Sequence, residues 1–268
     1  MKIKAYFITY KNNTELNKTL SSFINSGITK YDYEINIINN STDTPIEIVH
    51  SLINRCKIIE NNTRPSFSTG HLSRNFNECL IDGFRNINTP DCDIVILSQN
   101  DVKYNIDVID KLIESHNTYS FIQNGVGDAF CSYTVDAIKK VGLWDERFCN
   151  IGFQECDYFL RQAIFNKNAC SINDPGHGRY NNPLPFNIVD YSYSTGYSRK
   201  DKSTMDSVKY HGISTTVFLH KWKGMNSFPW DQLLMNSINT FEFNHPQYIM
   251  YPYFEDKFAL NNPNYFKY

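Results

Sequence analysis

Four short apolar runs alternate with amphipathic segments in the first hundred residues, and the last of them is apolar without a break from Ile94 to Leu97. A strand lacking a polar face is covered on both sides, as in the centre of a parallel sheet flanked by helices. The pattern predicts strands over residues 4–9, 34–38, 56–60 and 93–98. Helices are expected over 14–26, where Leu16, Leu20, Phe23 and Ile24 recur at helical spacing, and over 46–54 and 70–87. Such alternation implies a doubly wound α/β sheet, with ligands bound outside the carboxyl ends of its strands. The second half predicts a helix over 106–116, a strand near Phe121, a turn over 125–127, a strand through Phe130, and helices over 135–141 and 155–166. A loop over 174–197, partly helical sequence over 201–223 and an aromatic-rich tail follow. No internal repeat divides the 268 residues.

Composition narrows the function classes. A net charge of −2 and a pI near 6.4 give no electrostatic footprint for nucleic acid. The seven cysteines show no Cys-x-x-Cys pair and no zinc-type spacing, which reads as reduced thiols in a cytoplasmic setting. No apolar run approaches the length of a membrane span, and the first ten residues are too short and strand-like for a secretion signal. The glycine patterns of nicotinamide-binding sites and P-loops are absent, as is the nucleophile elbow of α/β-hydrolases.

Acidic residues carry the candidate chemistry. Gly152-Phe153-Gln154-Glu155-Cys156-Asp157 leads into the helix predicted at 155–166. A carboxylate in the first turn of a helix sits at the positive end of its dipole, where it stays ionised and can accept a proton. Asp157 and Arg161 have the spacing of a surface i, i+4 pair, a purely structural alternative for Asp157. Asp101, in Ser98-Gln99-Asn100-Asp101, follows the buried strand and falls on the ligand-facing rim; its structural alternative is a cap for the next segment.

The segment Val141-Gly142-Leu143-Trp144-Asp145-Glu146-Arg147-Phe148, followed by Glu155 to Arg161, resembles the acidic "VGxFDExF…(E/D)DxDLxxR" stretch of inverting, family 2-like nucleotide-sugar glycosyltransferases. Ile8-Thr9-Tyr10 with Asn39-Asn40-Ser41-Thr42-Asp43 resembles their "TYN…VDNxSxD" nucleotide site, and Gly70 to Asn75 their "GxaxaRN" helix start. The resemblance covers roughly residues 3–224. It implies a GT-A fold: a mostly parallel central sheet flanked by helices, with a Rossmann-like nucleotide half and an acceptor half over residues 1–224, and an aromatic extension over 225–268. It implies transfer of a sugar, with inversion, from a nucleoside diphosphate sugar (UDP sugars foremost) to a glycan hydroxyl. Glu155 takes the place of the base. Thr9, Tyr10, Asn40, Asp43, Gly70, Arg74, Asn100, Asp101 and Asp157 take the places of donor-binding residues. Asp101 and His211 take the places of ligands to Mn²⁺ or Mg²⁺, hard cations suited to a diphosphate. Gln99 and Gln154 depart from the pattern, since both stand where the family usually keeps an acid. That departure motivates the alternative of a non-catalytic protein of the same fold that binds sugar nucleotides or glycans.

Overall fold

The computed structural model describes residues 1–61, 72–123, 128–145, 148, 153–166 and 169–171. Gly70, His211, the turn at 125–127 and everything expected beyond residue 171 lie outside the described residues. The seven strands are β1 (Lys2–Thr9), β2 (Asp32–Asn39), β3 (Cys56–Glu60), β4 (Ile94–Gln99), β5 (Phe121–Gln123), β6 (Phe130–Tyr133) and β7 (Ala169–Ser171). They form one sheet in the order β3-β2-β1-β4-β6-β5-β7. Every neighbouring pair is parallel except those involving β6, which runs antiparallel to both β4 and β5. The sequence order of the strands reverses between β1 and β4, so the crevice at their carboxyl ends is the topological switch point, where sheets of this kind take ligands.

Helices α1 (Asn13–Ile24), α2 (His50–Ile53), α3 (Leu72–Phe84), α4 (Val108–His116), α5 (Val135–Val141) and α6 (Phe153–Phe165) cover the two faces. On one face Phe7, Ile37 and Ile96 pack with Leu16, Leu20 and Phe23 of α1 and Leu112 of α4. On the other Tyr6, Val95, Leu97 and Tyr133 pack with Phe76 and Leu80 of α3, Ile138 of α5 and Tyr158 of α6. The alternation of strand side chains between these two cores follows from the two-residue period of a strand, and the unbroken apolar run of β4 reflects burial on both faces.

The largest departures from the expected helices are in α2 and α3. Only His50–Ile53 of the predicted 46–54 segment is helical. Side chains of α1 capture the backbone before it: Asn13 Nδ2 donates to Pro45 O (3.1 Å), Asn17 Nδ2 to Glu47 O (2.7 Å), and Asn17 Oδ1 accepts from Val49 N (2.9 Å). Those groups are thereby committed to an extended path. The helix expected to reach residue 87 ends at Phe84 because Arg85 adopts a left-handed φ of 58°, the usual way for a helix to terminate. Asn86 Oδ1 then accepts from Asn88 N, which shapes the turn.

The segment entering α6 is anchored from α3. Asn77 Nδ2 donates to Trp144 O (2.9 Å) while its Oδ1 accepts from Trp144 N (2.8 Å), and Ser73 Oγ donates to Phe148 O (3.3 Å). The Trp144 ring stacks on Tyr158 of α6 at 4.1 Å and meets Phe76 of α3 at 4.8 Å. The Gly-Leu-Trp-Asp motif is therefore structural: it seats α6, through Tyr158 of its second turn, against the first turns of α3.

Two outcomes follow for stability. A Cβ on Gly83 of α3 would lie 2.5 Å from Cγ2 of Val95, whose side chain is fully buried. Gly83→Ala is expected to cost about 1–3 kcal/mol through overpacking, and distinctly less in a Val95→Ala background, measured by urea unfolding of the four proteins; equal costs in both backgrounds would refute the contact. His116 donates from Nδ1 to Tyr119 O (2.8 Å) and accepts at Nε2 from Ser132 Oγ (2.9 Å). Burial of this neutral ring lowers its pKa from 6.5 to about 4, against a small opposing effect of the Tyr119 carbonyl. The folded value lies below the unfolded one, so the stabilisation is complete above pH 6.5 and is lost as pH falls toward 4. His116→Gln is expected to remove about 2 kcal/mol of acid sensitivity in that window, read from unfolding midpoints at pH 7 and 4.5.

Candidate functional site

The carboxyl ends of β1 and β2 meet as their parallel register requires, with Thr9 beside Asn39 and Asn40 N donating to Thr9 O (3.0 Å). Asn39 Oδ1 accepts from Ser41 N, and its Nδ2 donates to Glu60 Oε2 at the end of β3. Asn40 is 7% exposed, and its amide is used on both sides: Nδ2 donates to Asn75 Oδ1 of α3 (2.7 Å), and Oδ1 accepts from Asn61 Nδ2 (2.7 Å). The turn Asn39–Asp43 is thus both an Asx-type turn and the clamp that holds the start of α3 to the sheet. Beside Asn40, a groove of about 610 Å³ runs between the exposed β3 edge and α3 and reaches Glu60 and Asn61.

Tyr10 and Asp43 stand over this end of the sheet, bridged by Lys11. Lys11 Nζ lies 3.4 Å from Asp43 Oδ2 and 5.3 Å from the centre of the Tyr10 ring. Asp43 also accepts from Ser41 Oγ, which, ahead of the charge of Lys11, lowers its pKa. Lys11 has a φ of 52° without being glycine. Left-handed backbone in a long side chain is strained and is concentrated at functional sites. Lys11 was missed in the sequence, which gives no sign of backbone handedness at a lysine.

At the switch point Asn100 Nδ2 donates to Thr9 Oγ1 (2.9 Å), and Asn100 O accepts from Thr19 Oγ1 of α1 (2.8 Å). Asn100 thereby stitches the end of β4 to β1 and α1. Asp101 follows, half-buried on the rim. Arg74, in the first turn of α3, is 3% exposed. Glu155 is in the first turn of α6 and 8% exposed. Asp157 is fully buried, which corrects its alternative reading as one half of a surface ion pair with Arg161.

The residue that joins these acids carried no motif. Asp128 stands two residues before the first residue of β6. Because β6 is antiparallel to β4, with Phe130 opposite Ser98, the chain before β6 arrives at the carboxyl end of β4. Gln99 N donates to Ala129 O (2.9 Å), and Gln99 Nε2 donates to Asp128 Oδ1 (2.7 Å). The second carboxylate oxygen, Oδ2, accepts from Gln154 Nε2 at the start of α6 (3.3 Å). Both amides that replace expected acids therefore converge on one carboxylate. That pairing of two missing acids was the available signal, and only the reversed strand reveals what it signals. Burial raises the pKa of Asp128 from 3.8 to about 6; the charge of Asp101 adds to this, while the hydrogen bonds from Gln154 and Gln99 oppose it. Cys131, three residues on and in β6, is pushed well above the usual thiol range by burial first, then by the charges of Asp128 and Glu155. Asp101, Asp128 and Glu155 thus act on one neighbourhood from β4, β6 and α6.

Fold and site together define an α/β protein with the GT-A fold, its acids gathered at the carboxyl edge. No family model and no curated protein matches the sequence. Among solved structures, the chain is similar to the mannosyltransferase PcManGT of Pyrobaculum calidifontis, solved with GDP-Man and Mn²⁺, at 10% identity and a TM-score of 0.52 over 89% of this chain and 69% of that one. It is also similar to S. aureus TarS, at 11% identity and a TM-score of 0.48 over 65% of this chain, and to residues 1–349 of TarS solved with UDP, at 12% identity and a TM-score of 0.48. The chain spans 35% and 58% of those two TarS chains. The match to the mannosyltransferase carries the fold alone. Among the described residues no group of His, Cys, Asp and Glu side chains forms a ready metal site, and no helix is long and apolar enough to cross a membrane.

The charge environment of Asp128 is open to a direct test. Its carboxyl resonance is expected to titrate near pH 6 by carbon NMR, and to fall in Asp101→Asn because a neighbouring negative charge is removed. A midpoint near 4 would contradict the buried assignment. The folded pKa exceeds the unfolded one, so the stability Asp128 contributes is complete below pH 4 and is lost as pH rises through 6. This opposes His116, and single variants are needed to separate them.

Proposed function

We propose that the chain is a metal-dependent glycosyltransferase that moves a sugar from a nucleoside diphosphate sugar to a glycan hydroxyl with inversion. The observation that carries this reading is the meeting of the β4 rim, which bears Asp101, with the first turn of α6, which bears Glu155, at the switch point of a GT-A sheet. UDP sugars are the first donors to test, as expected for the sequence motifs; the GDP-Man bound by the mannosyltransferase of the same fold makes GDP sugars the second. Tyr10 supplies an aromatic face for the base, and Asp43 and Lys11 polar groups for the ribose and phosphates. Asn40, Arg74 and Asp157 are proposed, as in the sequence, on the donor side of the site; Asn40 also ties the end of β2 to α3.

Glu155 takes the proton of the acceptor hydroxyl as its oxygen forms the new bond to the anomeric carbon. The bond from that carbon to the diphosphate breaks on the opposite face, and the nucleoside diphosphate leaves with the electron pair. The helix dipole keeps Glu155 ionised for this task. Asp101 offers a hard oxygen donor, and a single carboxylate that shares a cation with phosphate oxygens and water is the common arrangement for Mg²⁺ and Mn²⁺. Among the described residues Asp101 is the proposed ligand for such an ion, with His211 as the second ligand proposed from the sequence. When bound, the ion offsets the charge of the diphosphate. Residues 1–224 are proposed as the transferase domain, with 225–268 as an extension and the acceptor a glycan made in the cytoplasm.

Gln99 and Gln154 favour one alternative, a protein that binds the same donor or a glycan without turnover. Transfer and donor hydrolysis assays with UDP and GDP sugars and Mn²⁺ separate the two. The enzyme is expected to lose about 10²–10⁴ of kcat in Glu155→Gln while donor affinity, measured by calorimetry, is retained, and Asp101→Ala is expected to lose the metal dependence of binding. Donor binding without turnover in the wild type would establish the alternative.

A further inference from the structure

Asp128 belongs to none of the motifs, yet it touches both positions where an acid is replaced. A carboxylate only accepts hydrogen bonds, whereas a glutamine amide carries a donor end and an acceptor end. Two amides that meet one carboxylate must both present Nε2 to it, so their orientation is dictated. For Gln154, 1% exposed, this leaves Oε1 buried with no hydrogen-bond donor among the described residues. That orphaned acceptor is a cost borne while Nε2 stays on the carboxylate. The charge of Asp128 holds the amide there. Gln154 precedes Glu155 on α6, and Gln99 is two residues before Asp101, so one buried group sets the two rims against each other.

We infer that Asp128 is a positioning residue of the donor site, which orients Gln99 and Gln154 and through them the bearing of Asp101 and Glu155 on the bound nucleotide sugar. The inference rests on the nucleotide-sugar reading above. At 4% exposure Asp128 is closed off from the donor and acts only through these neighbours.

Asparagine has the same shape but one acceptor and one donor. In Asp128→Asn one glutamine keeps its bond, and the other turns over to accept from the new amide. The hydrogen bonds survive, the buried charge is gone, and the enforced orientation is lost. Gln99→Glu does the reverse: it sets two carboxylates in contact in a dry site, and Asp128→Asn added to it relieves the clash by moving the charge from β6 to β4.

The test uses the full chain, with thermal unfolding at pH 7 and calorimetric titration of UDP and GDP in the presence of MnCl₂. Asp128→Asn is expected to melt at or above the wild type yet bind nucleotide about tenfold more weakly, the scale of loss when a group that orients metal-site neighbours is removed. Gln99→Glu is expected to melt lower, and Gln99→Glu with Asp128→Asn to return toward the wild type. A folded Asp128→Asn protein that binds like the wild type overturns the inference alone. So does an Asp128→Asn protein that loses stability without recovery in the double variant, because that is the behaviour of an ordinary packing residue. Wild type that binds neither nucleotide overturns the nucleotide-sugar reading itself, and the inference with it.

Discussion

β6 pairs antiparallel with β4, with Phe130 opposite Ser98, and the chemistry at the carboxyl edge depends on this one reversal. Had β6 run parallel, its carboxyl end would lie beside the end of β4, and the residues before it would emerge at the opposite edge of the sheet. Reversed, its leading residues Asp128 and Ala129 meet Gln99 through both a side-chain and a backbone hydrogen bond. The edge then carries polar groups from the ends of β1, β2 and β4 and from the start of β6, with the first turn of α6 close against them.

Those polar groups are held by bonds across elements. Asn100 ties β4 to β1 and α1, Asn40 ties β2 to α3, Asn77 ties α3 to the chain entering α6, and Asp128 ties β4 to α6. Each is short, polar and largely sheltered, so each exchanges bonds with water for bonds with protein at little net gain but would be costly to leave unpaired. Their contribution is to specify geometry more than to add stability. The apolar cores on the two sheet faces supply the driving force, and the asparagines determine which side chains stand at the rim. The abundance of asparagine in this chain therefore has a structural use at these positions.

The sheet was legible because its signals are local. The apolar run Ile94–Leu97, the helical spacing of Leu16, Leu20 and Phe23, and the first-turn position of Glu155 each report an element through a few adjacent residues, and all are observed. The failures arose where distant side chains overrode local preference. Residues 46–49 were expected to open a helix, but three of the four are β-branched, and Asn13 and Asn17, some thirty residues earlier, take the backbone groups a helix would use. The end of α3 depended on the handedness of Arg85, and the strain at Lys11 on the same kind of invisible choice. Asp128 was illegible for a related reason. Between β5 and β6 it looks like any acid in a connecting segment, and its role exists only once β6 is known to be reversed.

The two glutamines bear on what kind of protein this is. A lost acid at the rim of a GT-A sheet reads as decay toward a binding protein when each position is taken alone. Decay predicts no compensation: a position released from its task is free to become small, apolar or exposed. Gln99 and Gln154 instead retain the length and polarity of an acid and donate to opposite oxygens of the same buried carboxylate. Amide next to carboxylate is also the arrangement that electrostatics requires, since acids at 99 and 154 around a buried Asp128 would place three like charges in a dry site. One carboxylate, just before β6, serves both amides, between the rim that bears Asp101 and the helix turn that bears Glu155. Positions that share one buried carboxylate at this edge are still in use, so the loss of the two acids does not by itself favour the binding reading.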